Sequence, residues 1–544
     1  MPPRLLPRLL LVAQLLLIGW VLATQLTHWW EQRWAQDDAY VSFRYARNLV
    51  RGEGLVYNPG EAVEGYTNFL WTALAAVPLA RGASDPLPFM HLVSAGLWVA
   101  SFGLLVALGI GLWAQGLWAA PLAVIPLAYH WSYNLWFFSG METPLVTCLT
   151  IAAVCAVALD PRRHAWALSA ASASGVALMM TRPDGVVVFA ALGLAVLWLD
   201  GAWILRERRW WRGVVAPALP LLLVFAPFQA WRIWFYGSLY PNTYYAKAAY
   251  LPYYRRGLRY LWHYVWIYRL WVFVPLWFGA ALAPMPSLAR RFLVASGLAA
   301  LAVGFYVVRL GGDFMEWRFL TPVSGVLYAA IVIAGCVVGE WVELVVRQRA
   351  WTRCARGGDG LEIPPGPPFS KGGTEGSGWV AGVLMTALLT WATVAATPAA
   401  RTRSIDDQET IALLRRYTDS GRFDWRAAAA VFDTVLPRDV RIATTSAGII
   451  PYICDRPCLD LTVSPTRSSR TRRSIRSSAA AWGTSTGCRI ISSSARAAST
   501  SFSNGPIQTS TRAAPRRRRM TAANWSACAW TTGATSTSPC STRR

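Results

Sequence analysis

Leu92-Val-Ser-Ala-Gly-Leu-Trp-Val-Ala-Ser-Phe-Gly-Leu-Leu-Val-Ala-Leu-Gly-Ile-Gly-Leu-Trp113 is a run of twenty-two residues without one charged side chain. As a helix rising about 1.5 Å per residue, it is long enough to cross a hydrocarbon core of about 30 Å. Comparable stretches lie near Leu9 to Leu26, Leu117 to Trp136, Leu145 to Leu159, Ala165 to Met180 and Val186 to Leu199. Others lie near Val214 to Trp231, Leu270 to Ala283, Phe292 to Val308, Val323 to Val338 and Trp379 to Ala396. The expected fold is an all-α polytopic membrane protein with about eleven transmembrane helices. Phe69 to Ala80 is apolar but only twelve residues long, which suits an interfacial or re-entrant helix better than a span.

Composition agrees with this reading. Of 544 residues 54% are hydrophobic and 15% charged, the mean hydropathy is +0.33, and thirty Trp and twenty Tyr are the residues that favour a membrane–water boundary. The net charge of +24 is misleading, because Ser464 to Arg544 holds fourteen Arg and no Asp, Glu or Lys, leaving +10 for the rest. That Arg/Ser-rich tail, 464–544, has almost no apolar periodicity and is expected to build no core, so no nucleic-acid partner is inferred. It begins abruptly after Leu459-Asp460-Leu461-Thr462, and two readings stay open: an out-of-frame translation of a high-GC gene or a genuine basic tail. A Pro/Gly-rich stretch, 357–378, reads as a flexible insert. The basic clusters Arg162-Arg163-His164, Arg206 to Arg212, Arg290-Arg291 and Arg347 to Arg356 all fall on one side if the N-terminus is cytoplasmic and Phe69 to Ala80 does not cross. The bilayer is then the cytoplasmic membrane, and the first loop, 27–90, is exported.

That topology puts five polar segments on the exported face: Asp37 to Arg44, Ser139 to Pro144, Thr181 to Gly185, Tyr236 to Lys247 and Gly311 to Arg318. Asp37 and Asp38 are adjacent carboxylates, so repulsion raises one pKa toward that of a general base, and the pair could hold a divalent cation. They equally suit a solvated loop with an N-cap Asp. Glu142, before Thr143-Pro144, and Arg182-Pro183-Asp184 each open a helix, so simple capping competes with chemistry there. Arg44, Arg182, Lys247 and Arg318 suit a lipid phosphate, whether a substrate's or a bulk headgroup's. Asp313 and Glu316, after Gly311-Gly312, could bind a sugar hydroxyl or pair with Arg318. No GxGxxG, Walker, HExxH or Cys/His zinc spacing occurs, and five His argue against a histidine-based hydrolase. Cys454 and Cys458 are spaced closely enough for an exported disulfide.

The run Asp37-Asp-Ala-Tyr-Val-Ser-Phe-Arg-Tyr-Ala-Arg-Asn-Leu-Val50, followed by Gly52-Glu-Gly-Leu-Val-Tyr-Asn-Pro-Gly-Glu-Ala-Val-Glu-Gly-Tyr-Thr-Asn-Phe-Leu-Trp71, resembles the first exported loop of GT-C glycosyltransferases. It is most similar to the group containing the terminal arabinofuranosyltransferases of cell-wall arabinan, and the four later segments resemble that group's motifs in the same order. The resemblance runs over roughly Leu9 to Thr462. It implies an integral-membrane enzyme moving a sugar, arabinofuranose- or mannose-like, from a polyprenyl-phosphate donor to an extracytoplasmic glycan, lipid or protein acceptor, usually with inversion. On that basis Asp37 is expected to be the base, with Asp38 orienting it or binding a cation, and Glu142 a second acid. Arg44, Arg182, Lys247 and Arg318, with Asp313 and Glu316, are expected to contact donor phosphate and sugar. Tyr40, Tyr66, Trp71 and Tyr244 are expected to line the sugar or polyprenyl groove. No cofactor is implied beyond the cation. Residues 1–398 would form the catalytic membrane domain and 399–463 a truncated α/β remnant of the group's exported C-terminal domain. Rival readings are a transporter or lipid flippase, which should place charges near the bilayer midplane, and an inactive truncated transferase.

Overall fold

The computed structural model describes residues 5–206, 213–246, 252–356, 377–402, 408–419, 424–437 and 440–460. Lys247, nearly all of the 357–378 insert and the 464–544 tail lie outside them. The first span is α1 (Leu5–Glu31), followed by α2 (Asp37–Val50) and the short α3 (Phe69–Ala80) in the first loop. Next come α4 (Leu87–Trp113), the short α5 (Ile125–Ala128) and α6 (Trp131–Phe137), then α7 (Thr143–Ala158), α8 (Ala167–Thr181) and α9 (Gly185–Arg206). The middle of the chain holds α10 (Val215–Pro220), α11 (Ala226–Tyr236), α12 (Asn242–Ala246), α13 (Tyr254–Ile267), α14 (Val274–Leu282), α15 (Ser287–Leu310), α16 (Thr321–Arg356) and α17 (Ser377–Thr402). The C-terminal segment contributes α18 (Ile411–Asp419), α19 (Trp425–Val435), β1 (Ile442–Thr444), α20 (Ile449–Cys454) and β2 (Cys458–Asp460).

Among the described residues seven helices are long and apolar enough to span a membrane, one of them joining α10 and α11. The chain is thus a multi-pass, all-α membrane protein. Two departures from the expected spans have local causes. Leu117 to Trp136 is a 3-10 turn at Ala120–Val124, then α5 and α6, rather than one helix. Pro121 and Pro126 each start a new short element, as a residue without an N–H prefers, and the pieces are buried among α4, α16 and α17, where irregular backbone is shielded from lipid. Residues 254–282 form two helical stretches bent by 78°, with Arg269 at φ +55° between them. Phe69 to Ala80 is the twelve-residue α3 packed on α2, too short to cross.

Helix α7 packs against α4, α8, α15 and α16 and anchors the bundle. At its C-terminal end Arg291 of α15 donates to both carboxylate oxygens of Asp200 on α9 at 2.9 and 2.7 Å, and to the carbonyls of Val157 and Ala158. Arg291, counted from the sequence as part of a basic loop, is therefore a buried strut joining three helices. The C-terminal segment is the small α/β unit expected, with β1 parallel to β2 and Ile442 opposite Cys458. Its own apolar cluster of Ala429, Leu436, Ile442, Ile450, Cys454 and Cys458 sits beside the main core. The last two are separate buried thiols rather than a disulfide, and the Cys454 thiol donates to the Ala429 carbonyl.

Asp200→Ala would strand the Arg291 charge in the interior, which costs about 3–5 kcal/mol. Thermal unfolding in detergent is expected to show a large drop for Asp200→Ala, and an unchanged midpoint would mean the strut is dispensable.

Candidate active site

Four of the polar segments meet at one end of the bundle. The Arg318 guanidinium donates to Asp313 Oδ2 at 2.9 Å, stands 3.8 Å from Asp38 Oδ2, and reaches Met141 Sδ at 3.7 Å. Arg182 donates to Glu142 Oε1 at 2.8 Å and to both Asp184 oxygens at 2.8 and 3.0 Å. The ring of Phe319 lies 5.0 Å from the Arg182 guanidinium and 5.2 Å from that of Arg318, so one aromatic ring joins the two ion-pair groups. Glu142 is buried. Burial pushes its carboxyl upward, but Arg182, Arg318 and a hydrogen bond from Asn68 outweigh it and hold the group below the usual carboxylate range. It is a fixed anion rather than a proton donor.

The two adjacent aspartates have different surroundings. Asp37 is only 4% exposed, and its carboxylate accepts from Ser446 Oγ at 2.8 Å, Gly448 N at 3.1 Å and Ile449 N at 2.7 Å. It thereby holds the first turn of α20 from outside that helix, where unpaired N–H groups favour an anion. Burial pushes its pKa up to about 7, with the neighbouring Asp38 charge adding to the effect. The Asp38 side chain is 42% exposed and faces Arg318. Of the pair, the carboxylate open to an incoming molecule is therefore Asp38. Among the described residues no group of three or more His, Cys, Asp or Glu could hold a metal ion, and the two aspartates bind different partners.

Glu316 stands two residues from Arg318 but does not share its surroundings. Its carboxylate accepts from Ser132 Oγ at 2.5 Å and from Ile411 N, at the start of α18, at 2.8 Å. Burial pushes its pKa up to about 7. Between them Trp317 takes φ +41°, a left-handed conformation costing about 1–3 kcal/mol in a bulky residue. It is held there by packing against His263, Tyr264 and Tyr268. That twist separates Glu316, which binds the C-terminal segment, from Arg318, which faces Asp38.

Several expected ligands serve the scaffold instead. Arg44 is buried, stacks on Tyr57, and donates to the carbonyls of Tyr57, Pro451 and Arg456 and to Asn58 Oδ1, which commits four of its five N–H groups to the protein and turns it away from a phosphate. Tyr40 is buried and hydrogen-bonded to Asp85 and Arg426, and Tyr66 is buried against Tyr45 and Leu55. Trp71 is fully buried and donates to the carbonyl of Gly140, whose φ of +78° suits glycine. These three pack the core rather than line a groove. Tyr244 stacks on Tyr240 in the segment that joins the first loop through Asn242 N and the Glu64 carbonyl. The structure also brings in Asn68 and Phe319, which the sequence did not single out. Asn68 donates to Glu142 Oε2 at 2.9 Å while its own carbonyl accepts from Ser42 and Thr72, and its only sequence signal was its place in the quoted run.

No family model matches the chain. It is 27% identical over 360 residues to the terminal β-(1→2)-arabinofuranosyltransferase of Corynebacterium glutamicum, covering 58% of this chain and 50% of that protein. It is 28% identical over 332 residues to the Mycobacterium tuberculosis protein of the same name, covering 54% and 51%. The resemblance read from the first loop is thus borne out, and the chain spans about half the length of the curated relatives it matches. ArnT from Cupriavidus metallidurans, solved with undecaprenyl phosphate, aligns over 87% of this chain and 92% of its own at 12% identity and a TM-score of 0.48.

A carboxyl whose pKa is higher folded than unfolded binds protons more tightly in the folded state, so its contribution to stability is present below the unfolded value and lost as pH rises through the folded one. For Asp37 and Glu316 that window runs from about 4 to about 7. Scanning fluorimetry is expected to show the native chain losing more stability across it than the Asp37→Asn, Glu316→Gln double variant, whereas parallel curves would mean that neither carboxyl titrates abnormally.

Proposed function

We propose that the chain is an integral-membrane glycosyltransferase that moves a sugar from a polyprenyl-phosphate donor to an acceptor hydroxyl outside the cytoplasmic membrane, with inversion. The observation that carries this reading is the exposed Asp38 carboxylate beside Arg318, with Arg182 and Glu142 across Phe319, at one end of a helical bundle. In the proposed reaction Asp38 takes the proton of the acceptor hydroxyl as its oxygen attacks the anomeric carbon. The bond to the phosphate oxygen breaks on the opposite face, and polyprenyl phosphate leaves as an anion. Arg318 and Arg182 stabilise the charge that grows on it, where preorganised electrostatics are most effective. Asp313 and Glu142 hold those two guanidinium groups in place, and Asn68 holds Glu142. Asp37 acts at one remove, by fixing α20 over α2.

An arabinofuranosyl donor is supported by the name that both relatives carry. The gathering of Asp38, Glu142, Arg182 and Arg318 at helix ends, with the Arg291–Asp200 pair inside two spans closed as a strut, disfavours the transporter and flippase reading. The exported position of the site rests on the basic clusters placed inside by the charge bias.

The test is sugar transfer from a radiolabelled polyprenyl-phosphate sugar in membranes. Asp38→Asn is expected to lower kcat by about 10²–10⁴-fold with little change in donor KM, and Arg318→Gln by about 10²-fold. Transfer at the native rate by Asp38→Asn would remove it as the base, and no transfer by the native chain would favour an inactive protein. A reporter fused after Ala165 is expected to read cytoplasmic and one in the loop near Gly237 exported. The opposite pattern would place the site on the inner face.

A further inference from the structure

A cavity of about 610 Å³ lies apart from the Asp38 and Arg318 group. It is lined by His28 and Trp29 in the last turns of α1, by Trp131 at the start of α6, and by Val394, Thr397 and Arg401 near the end of α17. Both long helices are spans, so the cavity sits at their boundary ends. Their outward faces are apolar and exposed, through Leu16 and Trp20 on one and Leu384, Leu388 and Trp391 on the other.

Arg401 sets the charge of that ligand. Its guanidinium stacks 4.0 Å from the centre of the Trp131 ring, and no carboxylate among the described residues pairs with it. By contrast, Arg318, Arg182, Arg232 and Arg291 each pair with a carboxylate. A cation held flat against an aromatic ring at the head of an apolar groove presents its donors to a phosphate oxygen while the groove accepts a chain. The floor residue Trp131 precedes Ser132, which bonds Glu316, so the groove lies behind the proposed site and not within it.

We infer that this groove is a binding site for an anionic glycerophospholipid, with the phosphodiester on Arg401 and an acyl chain running down between α1 and α17. The inference does not rest on the proposed transfer reaction, because its test reads binding. The delipidated full-length chain in detergent is titrated with phosphatidylglycerol or phosphatidylcholine, and retained lipid is counted by native mass spectrometry. One phosphatidylglycerol per chain is expected to be retained about fivefold more tightly than phosphatidylcholine. Arg401→Gln should abolish that preference, and Thr397→Trp, which fills the groove without touching the charge, should displace the lipid. Arg401 is exposed and Thr397 lies half-buried in the cavity wall, so both variants are expected to keep the native melting temperature. Equal retention of the two lipids by the native chain overturns the site. So does unchanged phosphatidylglycerol retention in both variants, and so does stronger retention of an isoprenyl monophosphate in competition.

Discussion

Asp37 accepts the backbone N–H groups of Gly448 and Ile449, and that contact closes the C-terminal segment over the first loop. Any side chain at position 448 would collide with the Asp37 carbonyl oxygen, because a Cβ built there falls 1.8 Å from it. The approach is therefore tied to glycine and to a carboxylate small enough to fit beneath a helix end. Around it, Arg44 binds the carbonyls of Pro451 and Arg456, Arg47 binds Asp455, and Tyr57 binds the carbonyl of Ala447. One helix of the first loop thus presents its polar face to a segment about 400 residues later in the chain.

Glu316 repeats the device at α18, and the repetition organises the site. Two buried carboxylates from the loops of the membrane domain each hold a helix start of the C-terminal segment. Asp38, next to Asp37, and Arg318, two residues from Glu316, are left facing each other at 3.8 Å. In each case a residue that carries structure lies beside one available for chemistry, and backbone geometry separates their roles: helical rotation from Asp37 to Asp38, and the strained Trp317 between Glu316 and Arg318. Aromatic packing around Trp317 by Tyr264 and Tyr268 keeps that strain in place.

The ionic groups differ in how they bear on function. Arg291 with Asp200 is enclosed far along the bundle and joins helices, whereas Arg182 with Glu142 is enclosed beside Phe319 and orients a cation. Both are carboxylate–guanidinium pairs with similar distances, and only their neighbours separate a strut from part of a site. Among the described residues Arg401 pairs with no carboxylate and rests on the Trp131 ring, which is why it points to a ligand rather than to the fold.

Span after span could be located from residue order because a hydrocarbon core demands about twenty apolar residues per crossing, a requirement that acts on the chain locally. The polar segments between spans were legible for the same reason, since charges are costly inside lipid. The same local signal overreached at Leu117 to Trp136, where enough apolar residues were present but prolines and burial by neighbours broke the helix. Which member of a polar segment does what was a different question. Arg44 and Arg318 carry the same guanidinium, and Asp37 and Asp38 the same carboxylate, but their partners come from positions up to about 400 residues away. Hydrogen-bond partners across such separations are assigned by packing in three dimensions, so the division between holding α20 in place and facing Arg318 exists only once the chain has folded.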